Sequence, residues 1–483
     1  MTMDLTTNIA TARDLPEKER KTLRRLIDIF NAHKTANSVK RKYYEGHIRL
    51  SEVNLGLALP KRIQGLEIGC AWGDKTVDVL AARSMFDGFV GANGEDAALM
   101  TQISTQNRMI AEYMKACREE LKYGCSFATL SADRMQKAGD AKQGCRIRFH
   151  TPESAAAEWD GEKGRIGCGF AVIAVTEDPV TNERKPSVVH FHTEDALWVI
   201  RRGLSDSDWR AEKHPHIMGR PLMEPMVWNA TSAKPFGRSR LKEPIRRLIQ
   251  GYVRTVANAT IGLEFATSPQ KYLLGVTDDQ YETLIDDKFR QYVGAIIAAT
   301  PNPETGEKPT FGQLQQGTIS PHVEMLRMLA TQFSAATGLT VTDTGVINDA
   351  NPTSSDAILA QSQTLILLAE QLNAGNGNSL GIIARMAQAI AQDIPMDELS
   401  GEQQDVVPHF KNPAMPSVAV TADAAIKIAS ARQGFGQTDV FLEMVGFDQA
   451  DIRRIRAQES RARGLALIEE IERENDQGQG ENE

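Results

Sequence analysis

Long apolar runs are missing from this chain. No stretch approaches the roughly 18 residues that a membrane span needs, and residues 1–20 hold no apolar core of a signal peptide. A protein made and kept in a cytosol is the expectation, with no membrane partner. Cysteine is scarce and odd in number: Cys70, Cys117, Cys125, Cys145 and Cys168 show no paired C-x-x-C spacing, which argues against a disulfide frame and a zinc ribbon. Buried thiols are expected instead. There is no G-x-S-x-G elbow and no H-E-x-x-H pair, so no catalytic set and no metal centre can be assigned. Positive charge is also short, with 55 Lys and Arg against 63 Asp and Glu for a net charge of −8. That balance excludes a protein that coats nucleic acid by neutralising phosphate.

What is present is ordinary globular material. Hydrophobic residues at 41% and charged residues at 24% lie near the average, which excludes collagen-like and disordered classes for the chain as a whole. Its 483 residues exceed one compact core and imply about two to four domains. Between Glu17 and Lys42, basic residues alternate with Leu23, Leu26, Ile27 and Phe30 at helical spacing, giving an amphipathic basic helix. A second helical stretch from Asp96 to Lys122 stops at Tyr123-Gly124, where glycine suits a C-cap. From Cys125 to about Trp228 short strand-like runs follow one another without intervening helices, which predicts a small antiparallel sheet.

Helical periodicity returns after Pro244, where Ile245, Leu248, Ile249, Tyr252, Val253 and Val256 share one face. Arg246, Arg247, Gln250 and Arg254 fall on the other. Ser320-Pro321 reads as a cap and first turn for a helix that ends at Gly338. Another helix opens at Pro352-Thr353-Ser354 and is expected to break at Gly375-Asn376-Gly377-Asn378. Past Ile471 the chain is Glu, Asn, Gln and Gly, too polar to fold alone. No internal repeat is visible.

Several local patterns carry chemistry elsewhere. Leu66-Glu67-Ile68-Gly69-Cys70-Ala71-Trp72-Gly73 resembles the first motif of Rossmann-like S-adenosylmethionine-dependent methyltransferases, the alternative functional reading, although Ala71 replaces the middle glycine and Asn93 the ribose-binding acid. Gly69 to Thr76 nearly spells a phosphate loop with Lys75 and Thr76 in register, but Asp74 replaces its second glycine. His190 and His192, two apart, would share a face of a strand, and His214 and His216 repeat the spacing; without a third ligand they read as solvent-facing strand histidines. Asp206-Ser207-Asp208 reads as an acidic turn.

Taken in order, the landmarks resemble portal proteins of tailed bacteriophages, of the siphophage type. Tyr43-Tyr44-x-Gly46, Trp72 with Val77-Asp78, Phe86-x-Gly88-Phe89 and Tyr123-Gly124-Cys125-Ser126 resemble the family's first part. Phe236-Gly237-Arg238-Ser239-Arg240, Ser320-Pro321-His322-Val323, Gly338-Leu339 and Asn351 through Ile358 resemble the stem helices, the tunnel loop and the long helix that follows. Phe410-Lys411-Asn412-Pro413 with Ala422-Asp423-Ala424 and Lys427 resembles the closing segment.

The resemblance implies a mixed α+β portal fold with a β-rich wing, helical stem, clip, tunnel loop, long helix and C-terminal helical crown. The segments would be 1–238 for N-terminal helices and wing, 239–266 for the stem helix, 267–318 for the clip and 319–338 for the second stem helix. The tunnel loop would occupy 339–354, the long helix 355–395 with its break at 375–378, the wing return and crown 396–460, and an acidic, disordered tail 461–483. The tunnel loop would present Thr342, Asp343, Thr344, Asn348, Asp349 and Asn351 to DNA, and the stem Arg246, Arg247, Arg254, His322 and Arg327. Implied partners are eleven further copies in a dodecameric ring, the terminase large subunit, major capsid and scaffold proteins, a head-completion or adaptor protein, and double-stranded DNA passing without sequence specificity. The implied location is the capsid vertex of the virion, with assembly in the host cytoplasm. No catalytic activity, cofactor or metal is implied. The loop carries no Lys or Arg, so it could brush a phosphate backbone without the counterion-release affinity that would slow passage. Its sixteen residues exceed what a connection between packed helices needs.

Overall fold

The computed structural model describes residues 7–49, 67–91, 97–134, 143–177, 184–203, 208–267, 271–274, 310–313, 318–345, 355–414 and 418–480, with the single residues 5, 301, 306 and 308. The elements run α1 (Glu17–Glu45), β1 (Ile48–Arg49), β2 (Glu67–Ile68), α2 (Trp72–Arg83), β3 (Phe86–Val90), α3 (Ala98–Gln106) and α4 (Met109–Tyr123). Strands follow as β4 (Cys125–Arg134), β5 (Gln143–His150), β6 (Ala155–Asp160), β7 (Arg165–Glu177), β8 (Arg184–His192), β9 (Ala196–Arg202), β10 (Trp209–Pro215) and β11 (Met223–Val227). Then come α5 (Glu243–Thr267), β12 (Lys271–Leu274), β13 (Thr310–Gln313), α6 (Ser320–Thr337), α7 (Ser355–Gln392), α8 (Gly401–Gln404), β14 (Val407–Phe410), α9 (Val418–Ala431), α10 (Asp439–Val445) and α11 (Gln449–Gly480). Two compact units result: residues 1–41, 76–242 and 352–483 form the first, and 42–75 with 243–351 the second.

In the first unit a five-stranded sheet of order β10-β9-β8-β7-β6 and a three-stranded sheet of order β11-β4-β5 are antiparallel throughout. Period-two burial explains the larger sheet: Phe170 and Val172 on β7 lie opposite Phe191 and Val189 on β8, and all four are buried. The apolar stripe of α1, Leu23, Leu26, Ile27 and Phe30, covers this face, with the Phe30 and Phe170 rings 5.9 Å apart. Helix α4 ends where expected, because Gly124 takes φ +113°, lets its N–H reach the Glu120 carbonyl at 2.7 Å, and leaves no room for a Cβ beside the Arg238 backbone. All five cysteines are buried thiols outside any disulfide.

Two helices in this unit depart from the sequence expectation. Helix α7 does not break at 375–378 but runs unbroken from Ser355 to Gln392. Gly375 and Gly377 each cost roughly 1 kcal/mol of helix propensity relative to alanine. Tertiary contacts offset it: Leu372 and Leu380 are buried, and the fully buried Asn376 donates hydrogen bonds to Tyr113 and Glu120. The 461–483 tail, expected to be disordered, is helical to Gly480 as part of α11. Its Arg, Ala, Leu, Glu and Gln residues are good helix formers, and they favour helix without a core to pack on.

In the second unit α5 packs on α6, and Ile245, Ile249, Val253 and Ala257 on the one and Leu329, Ala330 and Phe333 on the other are buried. The β12–β13 pair is antiparallel and lies inside the expected clip; most of 267–318 falls outside the described residues. Ser320 is not the cap that its spacing suggested. It lies inside α6, Ile319 holds the N-cap position without a side-chain bond, and Pro321 fills the first turn because its missing N–H would be unsatisfied there anyway.

Candidate functional site

The second unit brings together residues that are far apart in the sequence. Tyr43 is at the end of α1, and its backbone carbonyl lies so close to Gly73 that a Cβ there would overlap it. Only glycine permits this approach. The first turn of α2 thereby places Trp72 against both helices: its ring lies 4.7 Å from Tyr252 of α5 and stacks on Phe333 of α6 at 4.5 Å. Trp72 is 3% exposed, and its Nε1–H donates to the Thr344 carbonyl at 3.1 Å. One turn along, Lys75 Nζ donates to the Asp343 carbonyl at 2.6 Å.

The accepting segment is a single 3-10 turn over Thr342–Thr344 that follows α6. The Asp343 carboxylate accepts from Thr340 N at 2.9 Å and Thr340 Oγ1 at 2.8 Å, so it closes the turn. Thr344 is buried, and its hydroxyl donates to the Val341 carbonyl at 2.6 Å. Of the expected loop residues, Thr342 is exposed, Asp343 half-buried, and Thr344 withdrawn from the surface. The Thr344 hydroxyl is used within the turn rather than presented to solvent. Asn348, Asp349 and Asn351 lie outside the described residues.

The cations of the stem divide differently from the sequence expectation. Arg247 and Arg254 are exposed, with Arg247 paired to Glu243 at 3.1 Å in the same helix. Arg246 is half-buried, its guanidinium 5.8 Å from the Tyr43 ring centre, and Gln250 donates to the Tyr43 hydroxyl. The polar side of α5 therefore has two faces, one solvated and one packed on the end of α1. On α6, Arg327 is exposed and His322 half-buried.

The first unit buries titratable groups. Ser84 and Tyr113 share a hydrogen bond at 2.6 Å, Ser84 donates to Asn373 at 2.6 Å, and Asn376 donates to Tyr113 and to Glu120 at 3.1 and 2.8 Å. Burial pushes the Glu120 carboxyl up to about 8, with the Asn376 bond opposing it. His150, His190, His192 and His216 form a second group. Burial pushes His150 down to about 3 and His190 to about 4, and lowers His192 and His216 as well. His192 is fully buried, so the expectation of a solvent-facing histidine fails there: the face of β8 opposite Val189 and Phe191 is also covered at this position. Among the described residues no cluster of three or more His, Cys, Asp or Glu side chains could hold a metal ion.

The methyltransferase alternative also fails on geometry. Its cofactor site needs a parallel sheet, whereas β2 is a two-residue strand antiparallel to β1, and every strand ladder among the described residues is antiparallel. Lys75, which suggested a phosphate loop, is turned to the Asp343 carbonyl.

No protein-family model matches the chain. The portal protein of Mycobacterium phage D29 is 25% identical over 442 residues, covering 88% of this chain and 86% of its own length. The portal protein of Mycobacterium phage L5 is 24% identical over 441 residues with the same two shares. The chain is similar to these portal proteins along most of its length. Among solved structures, a chain in the neck of a native GTA particle, computed with C12 symmetry, aligns at TM-score 0.42 and 14% identity over 78% of this chain and 89% of its own. A chain in the neck of an empty GTA particle, computed with C6 symmetry, aligns at 0.40 and 13% over 75% and 86%.

In this chain the landmarks Tyr43, Gly46 and Trp72 acquire physical roles. Gly46 sits at φ +72° with the Cys70 carbonyl 3.0 Å from where its Cβ would be. Sequence reading missed Tyr252, Gln250 and Lys75 as partners of that assembly. The i, i+3, i+4 pattern marked Tyr252 only as apolar. It also missed Arg240, which is buried, donates Nε–H to the Thr76 carbonyl at 2.7 Å, and is lowered to about 10 by burial. No helix among the described residues is long and apolar enough to cross a membrane.

Proposed function

We propose that this portal protein closes into a dodecameric ring at one vertex of a capsid and forms the channel through which double-stranded DNA is packaged and ejected. The match to two portal proteins along 88% of the chain carries this reading. In it, α5 and α6 line the stem, β12 and β13 belong to the clip, and the turn at Thr342–Thr344 begins the tunnel loop. The terminase large subunit, the capsid and scaffold proteins and a head-completion protein are the proposed partners, met first in the host cytoplasm and then in the virion. The role is structural and asks for no catalytic residue or cofactor. DNA passes without being read in sequence: the chain is net acidic at −8, and phosphate contacts alone carry no sequence information.

Negative-stain microscopy and light scattering of the purified chain test this reading. Closed rings with a central channel are expected, because heterologous contacts between copies end in a ring where the rotation closes. A monodisperse monomer or dimer at micromolar concentration, persisting when capsid and scaffold proteins are added, overturns it.

A further inference from the structure

We propose that Trp72 and Lys75 form a clamp that fixes the base of the tunnel loop to the two stem helices and so positions the loop for DNA passage. The inference rests on the portal reading for its functional half only. Two successive carbonyls, those of Asp343 and Thr344, are held by two donors one helical turn apart on α2. The last carbonyls of a helical turn have no partner within it, so these donors satisfy groups the turn itself leaves open.

The clamp reads backbone and not side chain. Asp343 turns its carboxylate inward to Thr340, and Thr344 donates its hydroxyl to Val341, so neither side chain meets Lys75 or Trp72 through its polar atoms. The turn can therefore vary in sequence while its position stays fixed. That position is set from the other side by the Tyr252 and Phe333 rings, which pack on the Trp72 ring and couple the clamp to both α5 and α6. Gly73 completes the device, since its missing Cβ lets the first turn of α2 sit against the Tyr43 carbonyl. A loop whose base is tied at two carbonyls to a packed indole and to an ammonium resists displacement along the stem. DNA moving past it would supply that displacing force. Trp72 and Lys75 act through the loop and are positioning residues.

Three variants test the clamp by hydrogen exchange on the full chain. Lys75→Met keeps the aliphatic stem and removes the donor; Trp72→Phe keeps a ring in the stack and removes Nε1–H. Lys75→Arg restores a cationic donor. Amides of residues 340–345 should exchange about tenfold faster in the first two variants, with little change in β4 to β9, and Lys75→Arg should return most of the protection. Unchanged exchange at 340–345 in both Lys75→Met and Trp72→Phe overturns the clamp. Ring formation and DNA packaging are then measured on the same proteins. Intact rings with reduced filling or retention of DNA are expected; intact rings with full packaging, despite faster exchange, overturn its role in DNA passage. If the unmodified chain forms no rings even with capsid and scaffold proteins added, the portal reading fails while the exchange result still decides the clamp.

Discussion

The two units differ in one of their buried polar clusters. In the first, Ser84, Tyr113, Asn373, Asn376 and Glu120 form a buried network of side chain to side chain, and at His192 the neighbouring His150, His190 and His216 add to burial in keeping the ring neutral. In the second, side-chain donors from Trp72 and Lys75 go to backbone carbonyls, and Cys70 and Tyr252, both raised by burial, titrate well above neutrality. The difference predicts that the network of the first unit responds to pH, whereas the bonds to carbonyls in the second depend on shape. Network members can gain or lose protons near neutrality, but a carbonyl held by an indole cannot.

The strongest test of the shape-dependent unit is Ile249→Asp. Ile249 is fully buried on the α5–α6 seam, and an unpaired charge there should cost about 3–5 kcal/mol and abolish ring yield. Arg254→Asp on the exposed face of α5 should change stability by no more than about 0.5 kcal/mol. Equal losses in urea titrations of the two proteins would show that the seam is not where the unit's stability lies.

Next in size is the pH response of the first unit, which has two limbs. Glu120 ionises at about 8 in the fold against an ordinary value of 4.5, so its raised value contributes stability that is complete below 4.5 and lost as pH rises through 8. His150 and His190 are neutral in the fold down to about 3 and 4 against an ordinary 6.5, so their contribution is present above 6.5 and lost as pH falls through those values. A pKa that differs by one between the folded and unfolded chain is worth about 1.4 kcal/mol, which makes either limb an effect of a few kcal/mol. Glu120→Gln should flatten the alkaline limb between about pH 5 and 8.5 in hydrogen exchange of β4 and β5. Amides in α5 and α6 should show no such limb. An alkaline slope of equal size with Gln at 120 would break the comparison.

A smaller effect is expected for Asn376→Ala, which leaves Glu120 and Tyr113 short of a partner and should cost about 1–3 kcal/mol by thermal unfolding. It also removes what offsets the neighbouring glycines, so amides around residue 376 should lose protection before the ends of α7 do. Smallest is Asp343→Ala, which should cost about 1 kcal/mol, as loss of a side-chain cap does. Its signature is faster exchange confined to 340–345 at every pH, in contrast to Glu120→Gln.

Some elements were legible because their signals are local. Gly124 and Gly338 mark helix ends where left-handed backbone is needed, and Leu23, Leu26, Ile27 and Phe30 mark a helix face by spacing alone. The strands β5, β7, β8 and β9 follow from short strand-like runs between turn residues. Gly375 and Gly377 carry an equally local signal that misleads, because the contact that overrides it comes from Glu120 and Tyr113, more than 250 residues away. His192 was misplaced for a related reason. Alternation shows that two strand residues share a face, but which face is inner depends on what packs there.

The candidate site divides in the same way. Its residue types are visible in the chain: a polar segment without Lys or Arg, bounded by Gly338 and Pro352, and a Trp followed by Gly and Lys. That Trp72 and Lys75 hold the carbonyls of Thr344 and Asp343 could not be read from them, since a backbone acceptor leaves no mark on side-chain identity. By itself the sequence determined periodicity, caps, charge balance and the order of landmarks, all set by residues close in the chain. Only the tertiary structure decided which polar groups are buried, which glycines stay inside a helix, and which carbonyls the clamp holds, because desolvation and hydrogen bonding depend on neighbours that folding brings together.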